Sequence, residues 1–311
     1  MIRLLWFISD NARTALIIGL AAGLALPSLA ATLQPFLPQM VAGLLMITAL
    51  RIGYRAATGA LSDLRWGLGS VLVLQLVLPM GLFGLCYVFG IAHTPAAMAL
   101  MLATAAPAIS GSPNLALLLG QNAGRMMQIL VLGTAAFPVT VLPVLWLMPE
   151  LGKAREVTAA ALFLLVVIAL ATAVGFGLRA WLFPRPSARQ IKALDGLSVL
   201  AFSAIVIGLM AALNPALRTD PGTVASWALL AFLISYGAQI IAYVSLKNSR
   251  LAHVAGPLAI GAGNRNIALF LVALPPEVLA PLMVFVGCWQ LPMYLTPLLL
   301  RPLYRQEQPS D

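Results

Sequence analysis

Ten long apolar runs alternate with short polar connections along the chain. They fall at about 13–31, 36–54, 67–90, 96–119 and 126–148, then at about 157–182, 193–213, 222–246, 251–274 and 278–300. Each approaches the roughly 20 apolar residues that an α-helix needs to cross a bilayer. None shows the alternation over about ten residues that marks a strand of an outer-membrane barrel. The pattern predicts an all-α polytopic membrane protein with ten transmembrane helices. Turn and breaker residues separate the runs at Gln34-Pro35, Ser62-Asp63, His93-Thr94-Pro95, Pro184-Arg185-Pro186, Asp220-Pro221-Gly222 and Pro275-Pro276. Composition agrees: of 311 residues, 61% are hydrophobic and only 9% charged. A soluble domain carries about 25% charged residues and is excluded. The first run also fits a signal peptide, with Arg3 ahead of it and the small residues Ser28, Ala30 and Ala31 at its end. Retained as a span, it leaves two equal sets of five.

The net charge of +9 does not point to nucleic acid, because the basic residues sit in short clusters between apolar runs. With the N-terminus in the cytoplasm, fourteen of them fall inside: Arg3, Arg13, Arg51, Arg55, Arg65, Arg125, Arg179, Arg185, Arg189, Lys192, Lys247, Arg250, Arg301 and Arg305. Only Lys153, Arg155 and Arg218 fall outside, which leaves Arg265 within a span. That asymmetry obeys the positive-inside rule. It places both termini in the cytoplasm and suits a bacterial inner membrane. Cys86 and Cys288 lie in apolar runs without CxxC spacing, and His93 and His253 form no ligand cluster, so no metal or cofactor is expected.

Five is an odd number, so the second set of spans enters the membrane from the opposite side. Residues 1–150 and 151–311 then form two inverted five-helix repeats. The fourth and ninth spans, corresponding members of the two sets, are both interrupted. One break reads Pro107-Ala108-Ile109-Ser110-Gly111-Ser112-Pro113-Asn114, the other Gly261-Ala262-Gly263-Asn264-Arg265-Asn266. A proline inside a helix costs about 3 kcal/mol. Unwound backbone at mid-membrane persists only inside protein or beside a watery cavity. Matched broken helices therefore point to a midplane binding site made by Ser110, Ser112, Asn114, Asn264, Arg265 and Asn266. The bland alternative is a proline kink with close glycine packing.

The stretch Gly111-Ser112-Pro113-Asn114, followed by Leu-Ala-Leu-Leu-Leu, resembles the span-4 crossover of the bile acid:sodium symporter family. Gly263-Asn264-Arg265-Asn266-Ile267-Ala268-Leu269 resembles its span-9 crossover. The motif match covers about twenty residues. The resemblance implies a panel of spans 1, 2, 6 and 7 and a core of spans 3–5 and 8–10. It also implies that spans 4 and 9 cross, with substrate bound beside the crossing. Gln75, Asn114 and Gln128 are candidate ion ligands on the same grounds. The chain departs from the family where sodium is held. Gly261 stands at the usual glutamate position and Arg265 at the usual glutamine. Met127 and Val131 replace the hydroxyl residues of span 5, with Gln128 and Thr134 nearby.

All nine acids read as loop or tail residues: Asp10, Asp63, Glu150, Glu156, Asp195, Asp220, Glu277, Glu307 and Asp311. Arg265 reads as the only charge inside a span, about eleven residues from its start, or roughly 16 Å of helix. A central arginine costs about 2.5–3.5 kcal/mol on the insertion scale, so it faces protein. Three roles stay open for it: capping the broken-helix carbonyls, standing where a cation would sit, or pairing with an anionic substrate. The expectation is a secondary transporter of a small or amphipathic organic anion, with sodium coupling weak or absent. Ordinary sodium symport is the alternative. An intramembrane enzyme lacks a recognisable nucleophile, carboxylate pair or metal cluster. A channel lacks a repeated pore-lining pattern, and a sensor would add a signalling domain. The partners expected are the anion and the lipid bilayer, with no nucleic acid; substrate, direction and oligomeric state are not specified.

Overall fold

A computed structural model describes residues 2–59 and 63–304, without the side chain of Arg13. Ser62 of one breaker pair, Arg305, and the acids Glu307 and Asp311 lie outside the described residues. The described chain is helical: α1 (Ile2–Asp10), α2 (Ala12–Ala25), α3 (Pro27–Gly59), α4 (Leu64–Val88), α5 (Pro95–Ala105), α6 (Ser112–Leu118), α7 (Ala123–Trp146), α8 (Ala154–Leu182), α9 (Ala188–Thr219), α10 (Pro221–Leu246), α11 (Ala252–Gly263), α12 (Phe270–Ala273) and α13 (Pro276–Leu299). Helices α3, α4, α7, α8, α9, α10 and α13 are long and apolar enough to cross a membrane. The bent pair α1–α2 adds an eighth if it is one span. The chain is thus an all-α, multi-pass membrane protein. Helices α5 and α6 have 11 and 7 residues, and α11 has 12. At about 1.5 Å per residue, none of these crosses a core of about 30 Å alone.

Punctuation residues cap the long helices as their chemistry dictates. Asn122 accepts from the Arg125 amide at 3.0 Å and opens α7. Ser187 and Gln190 form a reciprocal capping box at the start of α9. Asp220 accepts from the Thr223 amide at 3.0 Å and opens α10. One expected break is displaced. The chain stays helical through Gln34-Pro35, as a single 3-10 turn over Gln34–Phe36, and breaks at Leu26 instead. Pro27 drives Leu26 out of helical angles (φ −119°, ψ 71°), whereas Gln34 ahead of Pro35 keeps them. A second correction concerns the acids. Asp10, Glu156 and Glu277 lie in terminal turns of α1, α8 and α13, and, because Ser187 starts α9 early, Asp195 lies well inside that helix rather than in a loop.

Packing sorts the helices. Helix α8 lies along α3, and α9 lies against α1, α2 and α3. Helix α7 touches α4, α6 and α11, while α10 touches α11 and α13. Lipid supplies no hydrophobic drive between helices, so close backbone approach matters most. Gly175 of α8 provides it: a Cβ there would meet the Met46 carbonyl, the Ala49 Cβ at 2.7 Å and the Leu50 amide at 3.0 Å. Trp289, Phe137, Phe270 and Phe285 fill the interior, with Phe137 and Phe270 edge to face at 5.3 Å.

Asp63 caps α4 through the Trp66 amide and pairs with Arg125 of α7 at 2.8 Å. The Arg125 hydrogen bond, then the Trp66 amide, hold its carboxyl below the usual aspartate value. A lowered folded-state value stabilises the fold above about pH 4, and that contribution is lost as pH falls through the folded value. Asp63→Asn therefore lowers the melting temperature at pH 7, and the gap from the native protein closes below about pH 4. Thermal melts of the purified protein across that range check this.

Candidate functional site

The two interrupted segments meet. Helix α5 ends at Ala105 and the chain runs extended through Ala106–Ile109 before α6 begins at Ser112. Helix α11 ends at Gly263, and a 3-10 turn over Ile267–Leu269 leads into α12. Between them lies an antiparallel β-bridge pairing Ala108 with Arg265. The Ile109 amide donates to the Asn264 carbonyl at 3.0 Å, and the Asn266 amide donates to the Pro107 carbonyl at 2.8 Å. Each unwound segment thus supplies the other's missing backbone partners.

Arg265 satisfies the carbonyls that the bridge leaves over. Its Nε donates to the Ala262 carbonyl at 2.9 Å, Nη1 to Ala106 at 3.0 Å and Nη2 to Leu74 at 2.8 Å. Each acceptor is an orphan for a definite reason. Ala262 would normally accept from the Asn266 amide, which the bridge has taken. Ala106 has itself left helical angles (φ −59°, ψ 150°), so the helical ladder does not continue past it to supply a donor. Leu74 lies in a π-helical turn over Val73–Val77, where the Leu78 amide bonds to Val73. The next residue able to reach Leu74 is Pro79, which has no N–H. The remaining carbonyls of the second break go to side chains. Ser235 Oγ donates to Gly263 at 2.8 Å, and Trp289 Nε1 donates to Arg265 at 3.0 Å. Gly263 is required by that closeness, since a Cβ there would strike the Ser235 carbonyl and Gln239. Arg265 as a whole is 1% exposed.

A cavity of about 360 Å³ lies beside this crossing. Its wall takes Ser110, Gly111 and Asn114 from the first break and Asn266 from the second. Facing them are Thr48 and Arg51 of α3, Asp195 and Ser198 of α9, and Tyr294 of α13. Arg51 Nε donates to the Asp195 carboxylate, and Arg51 Nη2 donates to Asn114 Oδ1 at 3.1 Å. The pair is only partly buried, at 18% and 23% side-chain exposure, so both groups are open to the cavity. The Tyr294 hydroxyl is buried without a protein hydrogen-bond partner. Arg51 is held from behind. Gly53, at φ 74°, breaks α3 just after it, and Arg179 Nη1 of α8 takes up the freed carbonyls of Leu50 and Arg51 at 3.1 and 3.2 Å. A larger hollow of about 750 Å³ between α4 and α10 is walled almost wholly by apolar side chains and holds none of the crossover's polar side chains.

The six predicted crossover residues divide. Ser110, Asn114 and Asn266 line the cavity; Ser112, Asn264 and Arg265 are buried behind it. Asn264 holds α11's end through Ile260 and accepts from Thr296 at 3.3 Å. The three candidate ion ligands have separate partners. Gln75 accepts from Thr140 at 3.0 Å, Gln128 joins Arg125 and the Asp63 carbonyl, and Asn114 joins Arg51. Two expectations are corrected: Arg265 is not the only charge within the helical bundle, and a carboxylate does lie inside a helix. Arg51 and Asp195 were missed as site residues because they sit near helix ends, where charge ordinarily meets water, and 144 residues separate them. The one signal was position: residue 195 falls inside the run at about 193–213. No known family model matches the chain, and no curated protein is significantly similar to it.

Removing the Arg265 fork strands at least two buried carbonyls. Each charged hydrogen bond is worth about 1.5–3 kcal/mol. Arg265→Gln should lower thermal stability markedly, and Arg265→Lys should recover only part of it, because an ammonium lacks the planar fork. Denaturation of both variants in detergent checks this; a native melting temperature for Arg265→Gln would remove the capping role.

Proposed function

We propose that the protein is a secondary transporter that moves a small or amphipathic organic anion by alternating access, and that it resembles the bile acid:sodium symporters. It is read as a carrier and not an enzyme. The observation that carries the reading is the pair of interrupted helices joined backbone to backbone beside a polar-walled cavity. Half-helices meeting at such a crossing are how transporters expose polar groups to a substrate inside a bilayer. In this reading the chain has ten spans in two inverted repeats. Helices α2, α3, α8 and α9 supply the panel, and α4–α7 with α10–α13 supply the core. The positive-inside count supports termini on the cytoplasmic side, and the reading takes the membrane to be a bacterial inner membrane. The cavity then opens inward, since Arg51 and Asp195 lie towards the cytoplasmic ends of α3 and α9.

Arg51, Asn114, Ser110 and Asn266 hold the anion. Arg51 supplies the planar, permanently charged fork that suits a carboxylate or sulfonate. Arg265 has a different part. Its guanidinium already takes three carbonyl oxygens at the crossing, so it fills the place a coupling cation would need and repels one nearby. At 6 Å and an effective dielectric of about 20, two like charges cost roughly 3 kcal/mol. Sodium coupling is accordingly weak or absent. Uptake of organic anions into proteoliposomes, compared in sodium and choline buffers, tests the reading. Saturable uptake of similar rate in both is expected, whereas a steep sodium requirement would restore ordinary symport. Asn114→Ala and Asn266→Ala should each weaken uptake by roughly two- to tenfold, the worth of one hydrogen bond, at unchanged expression.

A further inference from the structure

We infer that Asp195 is a proton-binding site that couples anion binding at Arg51 to uptake of one proton from the phase the cavity faces. The inference rests on the carrier reading above and names its coupling ion. Three observations lead to it. Arg51 is already paired: its Nε serves Asp195 and its Nη2 serves Asn114. The pair stands on the cavity wall, partly exposed, so an anion entering the cavity meets it directly. Among the side chains that the structure describes, which do not include that of Arg13, no other charged one lines the cavity.

With Asp195 ionised, the site carries no net charge. An anion that binds Arg51 then competes with the Asp195 carboxylate for one guanidinium. Two anions beside one cation, in a cavity walled largely by aliphatic side chains, leave one negative charge without a partner. Protonating Asp195 removes that charge. The neutral acid gives up Arg51, and the anion takes its place. The neighbours of Asp195 offer no easy substitute. Lys192, one turn earlier on α9, is bound to Asp10 of α1 at 2.6 Å. Arg179 of α8 faces the carbonyls behind Arg51. Tyr294 of α13 brings a neutral phenol to the wall. A monovalent anion would therefore travel with one proton, and its transport would be electroneutral.

The contact from Arg51 to Asn114 spans the two helix groups. Arg51 and Asp195 belong to α3 and α9, while Asn114 belongs to α6 of the crossing. Any movement of one group past the other breaks the Arg51–Asn114 bond, and an anion seated on Arg51 would break it too. Proton, anion and the contact between the groups meet at one guanidinium.

The test uses 2-naphthalenesulfonate, which stays ionised across the whole range, so any pH dependence belongs to the protein. Binding to the full-length protein is measured by calorimetry between pH 5.5 and 8.5, in two buffers of different ionisation enthalpy. Net proton uptake on binding is expected, at most one per anion, with affinity falling as pH rises by up to tenfold per pH unit. Asp195→Asn should bind with an affinity that is flat in pH and at least as tight as the native protein's, with no proton taken up. Asp195→Glu should restore the slope, and Arg51→Gln should abolish binding. Binding by the native protein that is independent of pH and takes up no proton would overturn the coupling and leave the anion site standing. A pH slope retained by Asp195→Asn would overturn the assignment to Asp195. No binding by either the native protein or Asp195→Asn would overturn the carrier reading itself.

Discussion

A backbone carbonyl inside a bilayer must find a donor, and the structure is organised around the places where the helical ladder cannot supply one. Unwinding two helices at the same depth strands carbonyls on both, and each unmet polar group at that depth costs several kcal/mol. The Ala108–Arg265 bridge pairs the strands it can reach. Arg265 spreads over three further carbonyls on α4, the first break and the end of α11. Ser235 and Trp289 close the rest. The buried charge is thereby turned to use: its planar donors match a set of oxygens that no neutral side chain could cover together.

The two arginines nearest the cavity show how burial assigns work to one residue type. Arg265 is sealed and fully committed to backbone oxygens that do not leave. Arg51 has the same fork, but its partners are two side chains at the edge of water, and a ligand can replace either. The first fixes the shape of the crossing; in the proposed carrier the second reads what enters beside it. A rigid crossing needs such a scaffold, because its unwound segments have little intrinsic stiffness. Arg51 in turn needs the Gly53 break and Arg179 to hold its backbone while its side chain exchanges partners.

Much of this was legible in the sequence, and the exceptions have physical causes. Apolar run lengths gave the long helices, and breaker residues such as Asp220 and Pro221 marked boundaries between them. The clustering of Pro107, Gly111 and Pro113, and of Gly261, Gly263 and Asn264, marked both interruptions. That Arg265 must be buried followed from its depth. Which oxygens it takes did not, because the Leu74 carbonyl is free only through a π-turn that no composition reveals. The Leu26 break was hidden behind a second proline signal at Pro35, whose preceding residue happens to keep helical angles. The Arg51–Asp195 pair joins residues far apart in sequence, each unremarkable on its own helix.

The π-turn in α4 binds the history of two distant positions together. Leu74 lacks a helical donor because residue 79 is proline, and Arg265 is the donor it uses instead. A residue with an N–H at position 79 would let α4 close its own ladder and leave one arm of the guanidinium idle. Loss of the arginine while proline stays would leave Leu74 bare. Each change is tolerable chiefly in the presence of the other, so the two positions form an epistatic pair. A lineage that exchanged the arginine for a bound ion would be expected to pass through a change in α4 as well as at the crossing.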